Sequence, residues 1–462
     1  MTRPNLSLHH LAMEPCSIFE DVAGRLEAQG STEANRKTHP GYWIKDLKSL
    51  LCTANVEDIT FGTGHQIYTR KILPAIEAAE TEVVLVTCFL ARSVTLDDLA
   101  DSLRKLSVKA QRNGKLIKVR ICFSSSSIWQ KLLQTSSLAG QIWPEAKWGL
   151  PRKDELQGLD MEVKSIFQLP FSVMHPKFVM VDRQRVLLPS CNVSWEDWFE
   201  GCVDLNGAVV EQFVQFWQSF WAGEEDRQVK ITNSTPLSDQ QTSASPAIVR
   251  EAYAVFLPSP HHRFSLPWVS SEQPPATPLN IYLLTVFARA EREIYMQTPN
   301  LTSTVVLSAI LQALERGVDV TILTSRRLMR LEQIVTAGTT TERSVRSLIK
   351  RYQALKQHRK SPRDLEAGFV PARVGRLIVR YHKMRDATDQ LEVEPAQSHL
   401  KLTIVDGKVA VFGSGNMDRA SWHTSQELGL ALTSEVLVKQ VRQKLLVAME
   451  GRSVTEYDSN ED

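Results

Sequence analysis

Two stretches of the chain carry the same five polar residues at the same intervals. In MHPKFVMVDRQRVLLPSCN they are His175, Lys177, Asp182, Ser190 and Asn192; in SHLKLTIVDGKVAVFGSGN they are His399, Lys401, Asp406, Ser414 and Asn416. A single His-x-Lys carries little information, but five matched identities at equal offsets do not arise as a surface accident. An imidazole is a nucleophile or a proton donor near neutral pH. Lysine adds a cation, and serine and asparagine add neutral hydrogen-bond donors. Together these groups suit an oxyanion with delocalised charge, such as a phosphoryl group. Displacement at a phosphodiester uses two imidazoles, one to attack phosphorus and one to protonate the leaving alcohol. Each copy has one, so two copies set face to face supply both.

The surrounding pattern shows how each set is positioned. KLTIVD alternates and is rich in β-branched residues, which predicts a strand; Asp406-Gly407 predicts a tight turn, and Val409–Phe412 the returning strand. His399 and Lys401 are two residues apart, as are Ser414 and Asn416, so each pair leaves one face of an extended chain. Four polar side chains thereby converge at one end of a hairpin, and the first copy builds the same object around a turn at Asp182-Arg183. Upstream, helical patterns alternate with apolar runs: residues 67–90 and 115–125 in the first half, 280–300 and 305–325 in the second. That alternation predicts a duplicated α/β protein, each lobe a mixed, mostly parallel sheet flanked by helices, with the site between lobes on a pseudo-twofold axis. The expected organisation is a lead-in over 1–60, a first lobe over 61–223, a Ser/Thr/Pro-rich linker over 224–278, a second lobe over 279–450, and a disordered acidic tail over 451–462.

Bulk properties narrow the partners. Across 462 residues, 54 Lys+Arg face 52 Asp+Glu, a net charge of +2 that gives no general pull toward nucleic acid. A local excess runs from Arg326 to Arg385, with 16 basic residues against four acidic ones. Within it, TTTERSVRSLIKRYQALKQHRK (339–360) reads as a basic amphipathic helix that suits an anionic membrane surface, the site entrance or plain solvent equally. The six cysteines form no CxxC pair or Cys/His cluster, which points to a reducing compartment and to no metal. No apolar run reaches the length of a membrane span or a secretory signal. The expectation is a cytoplasmic monomer, at most peripheral to a membrane.

At the two polar sets the chain resembles the phospholipase D superfamily, whose signature is His-x-Lys, four residues, Asp, then Gly-Ser-x-Asn. The second copy matches through His399, Lys401, Asp406, Gly413, Ser414 and Asn416; the first departs only in Pro189 for glycine. The resemblance spans about residues 60–445, and QTPNLTS and LERGVDVTILTS are most similar to the cardiolipin synthase-like branch. It implies a phosphodiester substrate, a phospholipid first of all, hydrolysed or passed to an alcohol through a phosphohistidine intermediate with no cofactor. The alternatives are a nuclease-type phosphodiesterase, against which the near-zero net charge stands, and a non-catalytic phosphate- or lipid-binding module, against which both complete motifs stand. It assigns attack to His175, acid/base work to His399, supporting charge to Lys177 and Lys401, and phosphate binding to Ser190, Asn192, Ser414 and Asn416. Asp182 and Asp406 would hold the hairpin turns. Each imidazole also calls for a carboxylate that fixes its tautomer. In the second lobe that is Glu427, 28 residues after His399; in the first it is Asp204, 29 residues after His175, in preference to Glu200, which precedes the predicted strand. Trp195, Trp198 and Trp422 are read as core or pocket wall, Cys191 as a spacer equivalent to Gly415, and His261-His262 and His382-Lys383 as solvated.

Overall fold

A computed structural model describes residues 14–30, 46–125, 140–168, 172–227, 247–261, 273–359, 373–385 and 393–461. In chain order its strands are β1 (Leu51–Thr63), β2 (Glu82–Phe89), β3 (Ile117–Ser125), β4 (Gln141–Trp143), β5 (Leu159–Ser165), β6 (Phe167–Gln168), β7 (Ser172–Val173), β8 (Phe178–Val181), β9 (Arg185–Pro189) and β10 (Trp198–Asn206). The second half adds β11 (Val249–Ser259), β12 (Glu293–Gln297), β13 (Asp319–Thr324), β14 (Leu377–His382), β15 (Gln397–Ser398), β16 (Leu402–Val405), β17 (Val409–Gly413), β18 (Glu427–Thr433) and β19 (Ser453–Asp458). β6 and β7 form a separate ribbon; the others share one sheet.

The sheet is a palindrome. From one edge it runs β4-β5-β3-β2-β8-β9-β10-β1, then β11-β18-β17-β16-β12-β13-β14-β19. The halves meet where β1 and β11 pair antiparallel, Leu51 opposite Val255. Parallel pairing is confined to β2–β3–β5 in one wing and β12–β13–β14 in the other, apart from a short join of β15 to β10. The duplicated α/β architecture stands, but the sheet is mixed rather than mostly parallel. The reason is that helix–strand alternation exists only in the wings, while the motif hairpins and the central join are antiparallel by construction.

Helices cover both faces. The apolar run of β2 is buried along nearly its whole length, as expected of a strand sandwiched between helices. One core cluster is continuous through both lobes; within it Phe213 of helix Val209–Phe220 meets Phe256 of β11 edge-on at 5.1 Å. Such a shared core makes the lobes halves of one body.

Three of the expected boundaries move. β1 starts at Leu51, so the lead-in already belongs to the sheet, and helix Pro15–Gly30 packs on helix Pro278–Arg289 of the second lobe through Arg25–Thr285 and Arg289–Asp21. β11 falls inside the segment expected to be linker. β19 falls in the tail expected to be disordered, where it pairs with β14 and Asp458 binds Arg376. β19 hides in a polar composition, whereas β11 is itself apolar from Ala252 to Leu257 but is flanked by polar and Pro-rich stretches; each pairs with a strand far away in sequence. No helix among the described residues is long and apolar enough to cross a membrane.

Candidate active site

Each motif begins just before its strand. His175 to Lys177 precede β8, and His399 to Lys401 precede β16, in extended chain. That stretch reaches across to the opposite lobe: Ser398 of β15 pairs with Phe199 of β10, and Met174 bridges Gln426 beside β18. The main-chain N–H of His399 donates to Phe199 O at 2.9 Å, and that of His175 to Gln426 O at 2.9 Å. Each histidine is therefore pinned to the residue that precedes a glutamate of the other lobe.

The rings follow their backbones. His399 Nδ1 lies 2.7 Å from Glu200 Oε1, and His175 Nδ1 lies 2.9 Å from Glu427 Oε2. Both pairs cross the lobe boundary and both are buried, with side-chain exposures of 5% and 3% for His399–Glu200 and of 13% and 0% for His175–Glu427. Burial pushes both imidazoles down, that of His399 to about 3, against the opposing pull of the glutamates. Burial pushes Glu200 up, but His399, Lys401 and Ser190 together outweigh it; at Glu427, His175, Ser414 and Ser421 do the same. The pairs are thus carboxylates accepting from the Nδ1–H of neutral imidazoles, which leaves Nε2 of each ring for chemistry.

Lys177 and Lys401 are almost fully buried, and each Nζ donates to the carbonyl of its own motif histidine, at 2.9 and 2.6 Å. Burial lowers Lys401 to about 7. Two buried lysines thus stand beside two buried carboxylates.

Asp204 is not at this site. It lies on the same face of β10 as Glu200 but four residues on, roughly 13 Å along a strand, where it binds Arg185 Nε at 2.9 Å. Glu200 takes the place that Glu427 holds in the second lobe. The register shows the equivalence: Ser190 N bonds Gly201 O, and Ser414 N bonds Leu428 O, one residue after each glutamate. Counting from the histidines misleads because the second lobe inserts the helical turn Arg419–His423 between Asn416 and Glu427. Superposing FEGCV on QELGL, strand on strand, would have found Glu200.

The serines also serve the carboxylates rather than a phosphate. Ser190 Oγ donates to Glu200 and accepts from Gly201 N at 2.9 Å; Ser414 Oγ donates to Glu427 at 2.5 Å and accepts from Leu428 N at 3.0 Å. Both hydroxyls are spent, so the expected phosphate-binding role falls away. The asparagines differ between lobes. Asn192 Oδ1 accepts from Phe89 N at 3.3 Å, whereas Asn416 Nδ2 donates to Asp418 at 3.0 Å and its buried Oδ1 has no partner. Asp182 and Asp406 stand at the turns with φ of 53° and 52°. Their carboxylates collect the N–H groups of Glu80, Thr81 and Glu82, and of Glu291, Arg292 and Glu293, fastening the neighbouring strands β2 and β12. Gly413 is needed in the second copy: its φ is 154°, and a Cβ there would lie 2.2 Å from Leu428 O.

Of the tryptophans, Trp198 packs on His399 with ring centroids 4.7 Å apart, Trp422 is buried, and Trp195 is 61% exposed. Cys191 is a buried spacer between Ser190 and Asn192. His382 is not solvated: it is buried beside Phe199, with neither ring nitrogen hydrogen-bonded, and burial lowers it to about 4. His262 lies outside the described residues.

The cardiolipin synthase, PLD-like domain family matches residues 283–447, the span that carries the second motif. The match covers the second half of the chain. Phosphatidylserine synthase from Haemophilus influenzae Rd KW20 shares the fold, with a TM-score of 0.52 at 14% identity over 87% of this chain and 89% of that one. Polyphosphate kinase from Porphyromonas gingivalis gives 0.46 at 9% identity over 86% and 48%, and the phospholipase D family member Nuc from Salmonella typhimurium 0.25 at 16% over 38% and 88%. No curated protein matches the chain. The first lobe, outside that match, repeats the same five polar residues at His175, Lys177, Asp182, Ser190 and Asn192.

Proposed function

We propose that the chain cleaves a phospholipid phosphodiester, or transfers its phosphatidyl group to an alcohol, through a phosphohistidine. The observation that carries this reading is the pair of His–Glu contacts crossing between lobes, with two buried lysines beside them. His175 Nε2 attacks phosphorus, and the bond from phosphorus to the leaving oxygen breaks. His399, protonated on Nε2 as the anion enters, gives that proton to the leaving oxygen. It then takes a proton from water or an acceptor alcohol, whose oxygen attacks the phosphohistidine and releases His175. The more open ring of His175 suits the group that must stand in line behind the scissile bond. Glu427 and Glu200 stabilise the imidazolium forms as they appear. Asn192, Asn416 and the lysines hold the phosphoryl oxygens. No metal is called for, since the lysines and imidazoles supply both charge and proton.

Phosphorus NMR of mixed phospholipid vesicles tests the reading. Phosphatidic acid is expected in buffer and phosphatidylethanol with added ethanol, and both should vanish with His399→Ala. Vesicles left intact by the native chain would refute the lipid substrate.

A further inference from the structure

Helix Arg330–Ala337 is built inside out. Its buried face is polar: Gln333 and Thr336 are 3% and 6% exposed, and Gln333 bonds Asn300, Leu328 O and Thr341. Its outer face is aliphatic, with Leu331 81%, Ile334 43% and Val335 43% exposed, and Met329 at its start is exposed as well. A surface helix of a water-soluble protein shows the reverse arrangement. Met329 enters it through a left-handed backbone, φ 49°, a sparsely populated conformation for a residue other than glycine. Arg326, Arg327 and Arg330 are exposed around the aliphatic patch, with Glu332 the one acid among residues 326–335. Arg326 is engaged by Glu456; Arg327 and Arg330 make no ion pair among the described residues.

The patch adjoins the site. Gln333 bonds Asn300, Asn300 and Asn416 both bond Asp418, and Arg419 bonds Thr336 O. Helix Thr341–Arg359, the basic helix singled out from the sequence, instead buries its apolar face through Val345, Leu348 and Tyr352.

We infer that the helix 330–337 patch docks on an anionic lipid bilayer, its aliphatic side chains entering the interface and its arginines meeting lipid phosphates. Aliphatic residues interleaved with arginines fit that surface, since apolar burial and charge attraction then act together. The inference rests on the phospholipid reading and gives it an orientation, with Asn416 turned toward the membrane.

The test is co-sedimentation of the full chain with phosphatidylcholine vesicles, with and without phosphatidylglycerol, alongside turnover of the water-soluble bis(4-nitrophenyl) phosphate. The triple variant Leu331→Ser, Ile334→Ser, Val335→Ser should bind vesicles about tenfold or more weakly. The double variant Arg327→Gln, Arg330→Gln should lose the preference for phosphatidylglycerol and its salt dependence. Both should turn over the soluble diester like the native chain, and His399→Ala should bind vesicles normally while turning over nothing. Native-like sedimentation of the triple variant would overturn the docking surface. So would a concentration-dependent dimer that the triple variant abolishes while vesicle binding persists, which would give the patch to a second copy. Loss of soluble-diester turnover in the native chain would instead strike the catalytic reading and leave the docking result standing.

Discussion

Exchanging Glu200 for glutamine should cripple the enzyme, while the same change at Asp204 should not. Glu200 receives His399 Nδ1 at 2.7 Å in a buried pair. Glutamine keeps the size but removes the charge that stabilises a cationic ring, and it can present an N–H that forces the wrong tautomer. The comparable exchange in a Ser-His-Asp triad lowers kcat by about four orders of magnitude. Here the backbone bond from His399 to Phe199 O survives, so a loss of roughly 10³ to 10⁴ is expected, or about 4–5.5 kcal/mol of transition-state stabilisation. Asp204→Asn breaks the contact with Arg185, whose side chain is 38% exposed and can be rehydrated. That should cost about 1 kcal/mol of stability and leave kcat within roughly twofold. Initial rates on the soluble diester, with denaturant unfolding of each variant as a folding control, give the comparison. An Asp204→Asn loss as deep as that of Glu200→Gln, or a native rate in Glu200→Gln, would refute the cross-lobe pairing as the working one.

The two glutamates should also fail differently. With a nitrophenyl leaving group that departs without a proton, Glu200→Gln should still release a burst and accumulate phosphohistidine on His175, whereas Glu427→Gln should lose the burst; rapid-quench phosphopeptide mapping reads both, and a burst confined to Glu427→Gln would exchange the roles of the histidines. Anion binding should take up protons, because burial holds Lys401 at about 7 and His399 at about 3, and a bound phosphate raises both. Phosphate affinity should therefore weaken as pH rises from about 7 to 9, and titration calorimetry in buffers of different ionisation enthalpy should show uptake; buffer-independent heats would contradict it. The same depressions set the sign for folding. His399 binds its proton less readily folded than unfolded, so its neutral burial weighs against the fold as pH falls from about 6.5 toward 3, and stability should rise with pH across that window. Gly413→Ala, which sets a Cβ against Leu428 O, should cost about 3 kcal/mol or more in denaturant unfolding and reduce turnover through the adjacent Ser414; a shift below about 1 kcal/mol would show that the strand relaxes freely.

Local periodicity determined a good part of this protein. The offsets between His399, Lys401, Asp406, Ser414 and Asn416 are a hairpin written in sequence, because strand period and turn length set them without reference to the rest of the chain. Their repetition at His175 to Asn192 was enough to imply two lobes and a shared site. What the tertiary structure alone decided is everything that depends on distant partners. Glu200 rather than Asp204 meets His399 because β15 pairs with β10, and because the second lobe spends an extra helical turn before its glutamate. Ser190 and Ser414 brace carboxylates rather than phosphate because both hydroxyls are consumed by neighbours ten or more residues away. β19 became a strand in an acidic segment because pairing with β14 outweighs weak local preference, while β11, apolar in itself, found its place between β1 and β18 only in the folded sheet. Spacing along one chain encodes a half-site; the choice of partner across the interface is a property of the folded body, because hydrogen bonds between lobes obey distance in space and not separation in sequence.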